Sequence, residues 1–193
     1  MQPLTTSDIL DKNTYEQARP DFRRRVMVLK EKRRVLVGEH VTFHFESRDT
    51  MHYQVQEMLR AEESWLRPGA IDDELAAYNP IVPRTGELSA TMMIEYATAA
   101  ERAEMLPQFV AIDRHVWLQI GDAPKILATF DAGQIDEHKV SSVQYVKFRL
   151  TADHQRLLAA DGTVVRLVID HPAYTAQAVL SEDTRKAIAH DPD

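Results

Sequence analysis

The chain has no cysteine. That excludes a disulfide, an iron–sulfur cluster ligated by this chain, a cysteine-based zinc site and a thiol nucleophile, so any metal has to be held by His, Asp and Glu. Long apolar runs are missing too. Nothing approaches the roughly 18 uncharged apolar residues of a membrane span, and the opening MQPLTTSDIL lacks the regions of a signal peptide. A soluble, cytoplasmic protein with no membrane partner is expected. Only six glycines are scattered over 193 residues, with no Gly/Ser linker, repeat or low-complexity tract, which fits one continuous domain over 1–193. Positive charge is short: 23 Lys and Arg against 30 Asp and Glu leave a net charge of -7. Such a chain is a poor nucleic-acid binder, because binding phosphates requires a positive field to displace their counterions.

The usual reaction motifs are also absent. No H-E-x-x-H, Glu-x-x-His pair of di-iron helices, G-x-S-x-G, phosphate-binding loop or dinucleotide fingerprint occurs. His44 and Glu46 form H-x-E, but the deaminase signature also needs a P-C-x-x-C that a cysteine-free chain lacks.

What is present divides the chain by periodicity. Residues 1–35 form a basic, helical N-terminal segment, and 36–193 an α+β body. Asn13 with Glu16 reads as a capping box, and Pro20 kinks or restarts the helix. RRRVMVLKEKRR, Arg23 to Arg34, carries seven basic residues against one Glu. On a helix Phe22, Val26, Leu29 and Leu36 align, and Arg33 falls on that apolar stripe, where it must snorkel or pair with a carboxylate. The segment is either a solvated face or a docking surface for an acidic protein or a small anionic ligand.

VLVGEHVTFHFE reads as two strands around a turn at Gly38 and Glu39, followed by a helix capped by Ser47 or Asp49 and ended by the RPG at 67–69. A short helix spans Asp72 to Tyr78 and closes at NPIVP. The period then changes to two: Leu88, Ala90, Met92, Ile94 and Tyr96 alternate onto one face of a strand. Thr98 with Glu101 opens a short helix before Pro107, and HVWLQIGDAPKILATF reads as a hairpin turning at Gly121 to Pro124. VSSVQYVKFRL and TVVRLVID are further strands, separated by a helix from Thr151 to Gly162, and Ser181 caps a last helix. Strands in runs favour an α+β fold: a single domain with a largely antiparallel sheet, an N-terminal helical arm and several packed helices.

FESRDTMHYQVQEMLRAEESWL, from Phe45 to Leu66, is the densest polar stretch. On a helix Met51, Val55, Met58 and Leu59 turn to the core, while Tyr53, Gln56, Glu57 and Arg60 share the opposite side and Glu57 can pair with Arg60. Glu46, at the end of the preceding strand, adds a second carboxylate. His171 in IDHPAY is the best histidine candidate, at a strand end where loops carry function; the plainer role is a hydrogen bond to nearby backbone. His44, His52, His138, His154 and His190 read as ordinary surface residues.

FESRDTMHYQVQEMLRAEE, followed by DDELAAYNPIVP, GELSATMMIEY, SSVQYVKF and DHPAY, resembles the bacterial family catalogued as domain of unknown function 3501, from LTTSDIL to AIAHD. The resemblance supplies no activity. It implies association with rubrerythrin-like di-iron proteins and iron–sulfur redox proteins, hence an accessory role in redox or peroxide metabolism. It also marks Glu46, Arg48, Thr50, Gln54, Glu57, Arg60 and Glu63 as characteristic positions, with Glu74, Tyr78 and Asn79 just after.

Two functional readings follow. One is a non-catalytic accessory or binding protein acting through the polar helix and the basic segment. The other is an enzyme in which Glu46 and Glu57, with His171, act as acid and base or hold a divalent metal through oxygen and nitrogen ligands. An enzyme needs the carboxylates to converge in a concave pocket, whereas a docking surface does not.

Overall fold

The structure is a computed structural model that describes residues 1–132 and 140–191; His138 lies outside the described residues. α1 (Lys12–Glu31) opens where the Asp11 carboxylate accepts the amide protons of Asn13 and Thr14. Asp11 therefore supplies the cap expected of Asn13: the helix starts two residues earlier, and Asn13 lies within its first turn, where its own N–H is one of the orphan groups that the cap satisfies. Pro20 sits inside α1 without ending it, and buried Tyr15 and Val26 anchor the helix on either side. Leu36 is not on that helix. It belongs to β1 (Arg34–Val37) and faces outward there.

β1 and β2 (Val41–Phe45) form a hairpin around Gly38, whose φ of +72° suits glycine. Beneath the turn, the Tyr174 phenol donates to the Val37 carbonyl at 2.7 Å and accepts from the His40 amide at 3.0 Å. A Cβ at position 38 would collide with that phenol. α2 (Arg48–Ala61) is capped by Ser47, which accepts from Thr50 N. A short helical turn separates it from α3 (Ala70–Tyr78), so α2 stops before the RPG. Then come β3 (Glu87–Ile94), α4 (Ala99–Met105), β4 (Val116–Ile120), β5 (Ile126–Leu127), β6 (Thr129–Phe130) and β7 (Val143–Arg149). α5 (Ala152–Ala159), β8 (Val165–His171), β9 (Tyr174–Val179) and α6 (Glu182–Ile188) complete the α+β architecture.

The strands make two antiparallel sheets rather than one. Their orders are β1-β2-β3-β7-β6 and β5-β4-β8-β9. KILATF, which reads as one strand, is divided between them: Ile126 and Leu127 pair with β4, and Thr129 and Phe130 pair with β7. β9 is an addition to the expected elements, because YTAQAV buries none of its residues and so carries almost no apolar signal.

The inner faces of the two sheets share one core. Phe43, Phe45, Leu88, Met92, Val146 and Phe148 of the first sheet meet Val116, Leu118, Ile120, Val165, Leu167 and Ile169 of the second. Burial of these side chains supplies the main driving force for closing the two sheets.

The outer face of the first sheet matters more for function. Alternation turns Ser89, Thr91 and Met93 outward on β3, and register places Lys147, Tyr145 and Val143 opposite them on β7. A second apolar cluster, from Met51, Val55 and Leu59 of α2 to Leu75, Ile81 and Val82, covers this face and packs against Tyr78 and Tyr145. α1 in turn lies on α2. Among the described residues no helix is long and apolar enough to cross a membrane.

Candidate functional site

The polar face of α2 is a seam between helices. Glu57 accepts from the Tyr15 hydroxyl at 2.7 Å and from Arg19 Nε and Nη2, each at 2.7 Å. The Arg19 guanidinium is the main cause that holds the Glu57 carboxyl down at about 2, and the Tyr15 hydroxyl adds to it against the opposing effect of burial. The expected Glu57–Arg60 pair does not form; Arg60 Nε instead meets Glu16 at 2.7 Å. Because α1 covers this side of α2, opposite charges arrive from another helix rather than from one turn away. Tyr53, expected on the far side from the core, is buried edge-on against Phe22, and Gln56 is buried with its amide on the Leu10 carbonyl.

Other candidates also have structural partners. Arg48 pairs with Asp8 and donates to the Gln2 carbonyl. The Asn79 amide both accepts from Leu4 N and donates to Leu4 O, fastening the N-terminal residues. Glu63 is exposed in a left-handed conformation with φ 51°. Glu74 is buried, which pushes its carboxyl up.

His171 has both ring nitrogens engaged. Its Nδ1 accepts from Ala173 N at 3.2 Å, so Nε2 carries the proton and donates to the Val110 carbonyl at 3.0 Å. These are hydrogen bonds of the plain backbone kind, made at the end of β8 beside the two-residue turn to β9. His154 is not on the surface: it is buried, with Nε2 on the Pro124 carbonyl. Arg33 falls in the turn after α1, off the expected apolar stripe, and its buried guanidinium pairs bidentately with buried Asp191, at 2.7 and 2.9 Å.

Glu46 differs from all of these. It is only 4% exposed. Its Oε2 accepts from the Thr50 hydroxyl at 2.6 Å and its Oε1 from the Thr91 hydroxyl at 2.7 Å. No ion pair reaches its carboxylate among the described residues; the Arg33 guanidinium contacts the Glu46 carbonyl instead and spends its charge on Asp191. A buried carboxylate is ordinarily paired, since its desolvation costs several kcal/mol. Two hydroxyl donors offset part of that cost and leave each oxygen with acceptor capacity.

That carboxylate lines a cleft of about 180 Å³ between α2 and the outer sheet face. Gln54, Met51 and Tyr78 form the helical wall, and His44, Thr91, Met93, Val143 and Tyr145 the sheet wall, with Ile81 and Lys30 also lining it. Burial pushes the His44 imidazole down, toward its neutral form, and the Tyr145 phenol up. Of the expected positions, the cleft therefore gathers Glu46, Gln54 and Tyr78, with Thr50 behind Glu46. Arg48, Glu57, Arg60, Glu63, Glu74, Asn79 and His171 do not line it. Among the described residues, no three His, Asp or Glu side chains converge in a group that could hold a metal ion.

Thr91 and Tyr145 are lining residues with polar chemistry that the sequence did not single out, while His44 reads there as a surface residue and Lys30 as part of the basic segment. The outward period of β3 was a usable signal for Thr91. Tyr145 becomes its neighbour only through the β3–β7 register, which no local pattern reveals.

The family model described as "Protein of unknown function (DUF3501)" matches residues 3–192. The chain belongs to this family. A crystal structure titled as a novel protein of unknown function from Burkholderia pseudomallei is similar over 100% of both chains, at 31% identity and a TM-score of 0.92. Among curated proteins none matches. Membership of this family thus carries the fold, and the chemistry has to be argued from the cleft.

Proposed function

We propose that this member of the family is a small-molecule-binding protein, non-catalytic by itself, whose polar anchor is Glu46. One observation carries the reading: a buried carboxylate with hydroxyl donors and, among the described residues, no ion-paired cation faces a concave cleft walled by two tyrosines, a glutamine and apolar side chains. A ligand N–H group would complete its hydrogen bonding. The enzymatic alternative needs Glu46 to work with Glu57 or His171. Glu57 is committed to Arg19 and Tyr15, and His171 to Val110, which favours binding over acid–base chemistry.

The accessory link to redox or peroxide metabolism rests on the family resemblance. In that setting the chain, having no cysteine, contributes recognition. The acidic protein or small anionic ligand expected at Arg23–Arg34 narrows to Arg23, Arg25, Lys32 and Arg34, which are exposed and carry no ion pair among the described residues, while Arg24 meets Asp21 and Arg33 meets Asp191. Charge reversal at Arg23 and Arg34 should weaken such an encounter, and so should added salt.

The cleft itself is tested by titrating the protein and its Glu46→Gln variant with short primary alkylamines, following heat release and melting temperature. The expected result is saturable binding by the wild type that the variant loses. Equal responses from the two proteins would remove Glu46 as an anchor.

A further inference from the structure

The cleft holds a second charge without an ionic partner among the described residues. Lys30, near the end of α1, lines the same hollow as Glu46 and forms no ion pair among the described residues. Its ammonium lies 5.9 Å from the centroid of the Tyr53 ring, a weak cation–π contact that leaves its full charge in place. No Lys30–Glu46 ion pair forms, although one small cavity receives both.

Opposite charges that share a cavity without touching select a ligand with both charges. A simple amine would gain Glu46 but be opposed by Lys30, and a simple carboxylate would gain Lys30 but be opposed by Glu46. His44, turned toward its neutral form by burial, adds no second cation to that balance. The remaining walls, Met51, Ile81, Met93 and Val143 with the rings of Tyr78 and Tyr145, suit a short hydrocarbon body. At about 180 Å³ the cleft is below the usual range of drug-sized pockets, so the ligand is small.

We propose that the Glu46 cleft takes a small zwitterion of the amino-acid class, its ammonium resting on Glu46 and its carboxylate facing Lys30. The inference rests on the reading of the cleft as a ligand site and adds the ligand's charge pattern to it. Gln54, Tyr78 and Tyr145 line the same cleft and offer further polar groups to such a ligand.

The test compares three probes of matched length, n-butylamine, butyrate and 4-aminobutyrate, against wild type, Glu46→Gln and Lys30→Met by calorimetry at neutral pH and low salt. Lys30 is on the outer helix, so its variant keeps the fold even where Glu46→Gln does not. The zwitterion should bind wild type about twofold to fivefold more tightly than either half, the worth of one rim ion pair. In Lys30→Met its affinity should fall to that of the amine. If the amine binds wild type as tightly as the zwitterion and Lys30→Met changes nothing, the zwitterion proposal is overturned while the anchoring role of Glu46 stands. If none of the three binds wild type at millimolar concentration, both readings fall.

Discussion

Residues that look alike on paper separate once their partners are named. Glu46 and Glu57 are both glutamates of one polar stretch, yet Glu57 is neutralised by Arg19 while the donors to Glu46 among the described residues are hydroxyls. This gives Glu57 a measurable signature. Its folded-state carboxyl sits at about 2 against an ordinary 4.5, so the stabilisation is full above 4.5 and is lost as pH falls toward 2. Glu57→Gln should cost about 1–3 kcal/mol at neutral pH. The melting-temperature gap between wild type and variant should then close as pH falls through that window. Asp8 and Glu182, held down to similar values, titrate in both proteins and cancel in the difference. A gap independent of pH would mean that the side chain stabilises by packing alone. Glu46 was legible as a candidate because it ends a strand just before a capped helix. The Glu57–Arg60 pairing misled because local spacing is silent about a helix that arrives from 38 residues away.

At the scale of elements, local chemistry marks boundaries well and partners poorly. Ser47, Thr98, Thr151 and Ser181 each cap the helix they precede, and the alternation of β3 buries Leu88, Ala90, Met92 and Ile94. These features depend on a few consecutive residues, so they could be read directly. The partition into two sheets could not, because the chain changes sheet at Ala128 without any break in composition. The β1–β2 hairpin offers a test of how one sheet constrains the other. Gly38→Ala meets both a positive φ and the Tyr174 phenol, and should lower stability by about 1–3 kcal/mol in denaturant titrations. In a Tyr174→Phe background the penalty should shrink, since the obstructing hydroxyl is gone. Identical penalties in both backgrounds would assign the cost to backbone strain and to the remaining contact with Ala176.

For the whole molecule, the Arg33–Asp191 pair ties the end of the first helical segment to the residues after α6. Arg33→Met should cost on the order of 3–5 kcal/mol, because it leaves Asp191 buried and unpaired. Burial already pushes the Asp191 carboxyl up, against the pull of Arg33. Replacing both, as Arg33→Met with Asp191→Leu, should recover much of the loss in equilibrium unfolding; additive losses would show that the two charges are not coupled. The pair also sets an order of events during synthesis. Asp191 is 158 residues downstream of Arg33. At roughly 5–20 residues per second, a ribosome needs on the order of ten to thirty seconds to make that span. Throughout that interval Arg33 is without the Asp191 carboxylate, and the expected consequence is that its guanidinium stays hydrated until the far end arrives. The native arrangement is therefore completed from its far end, and nascent chains stalled before residue 191 should be the protease-sensitive ones.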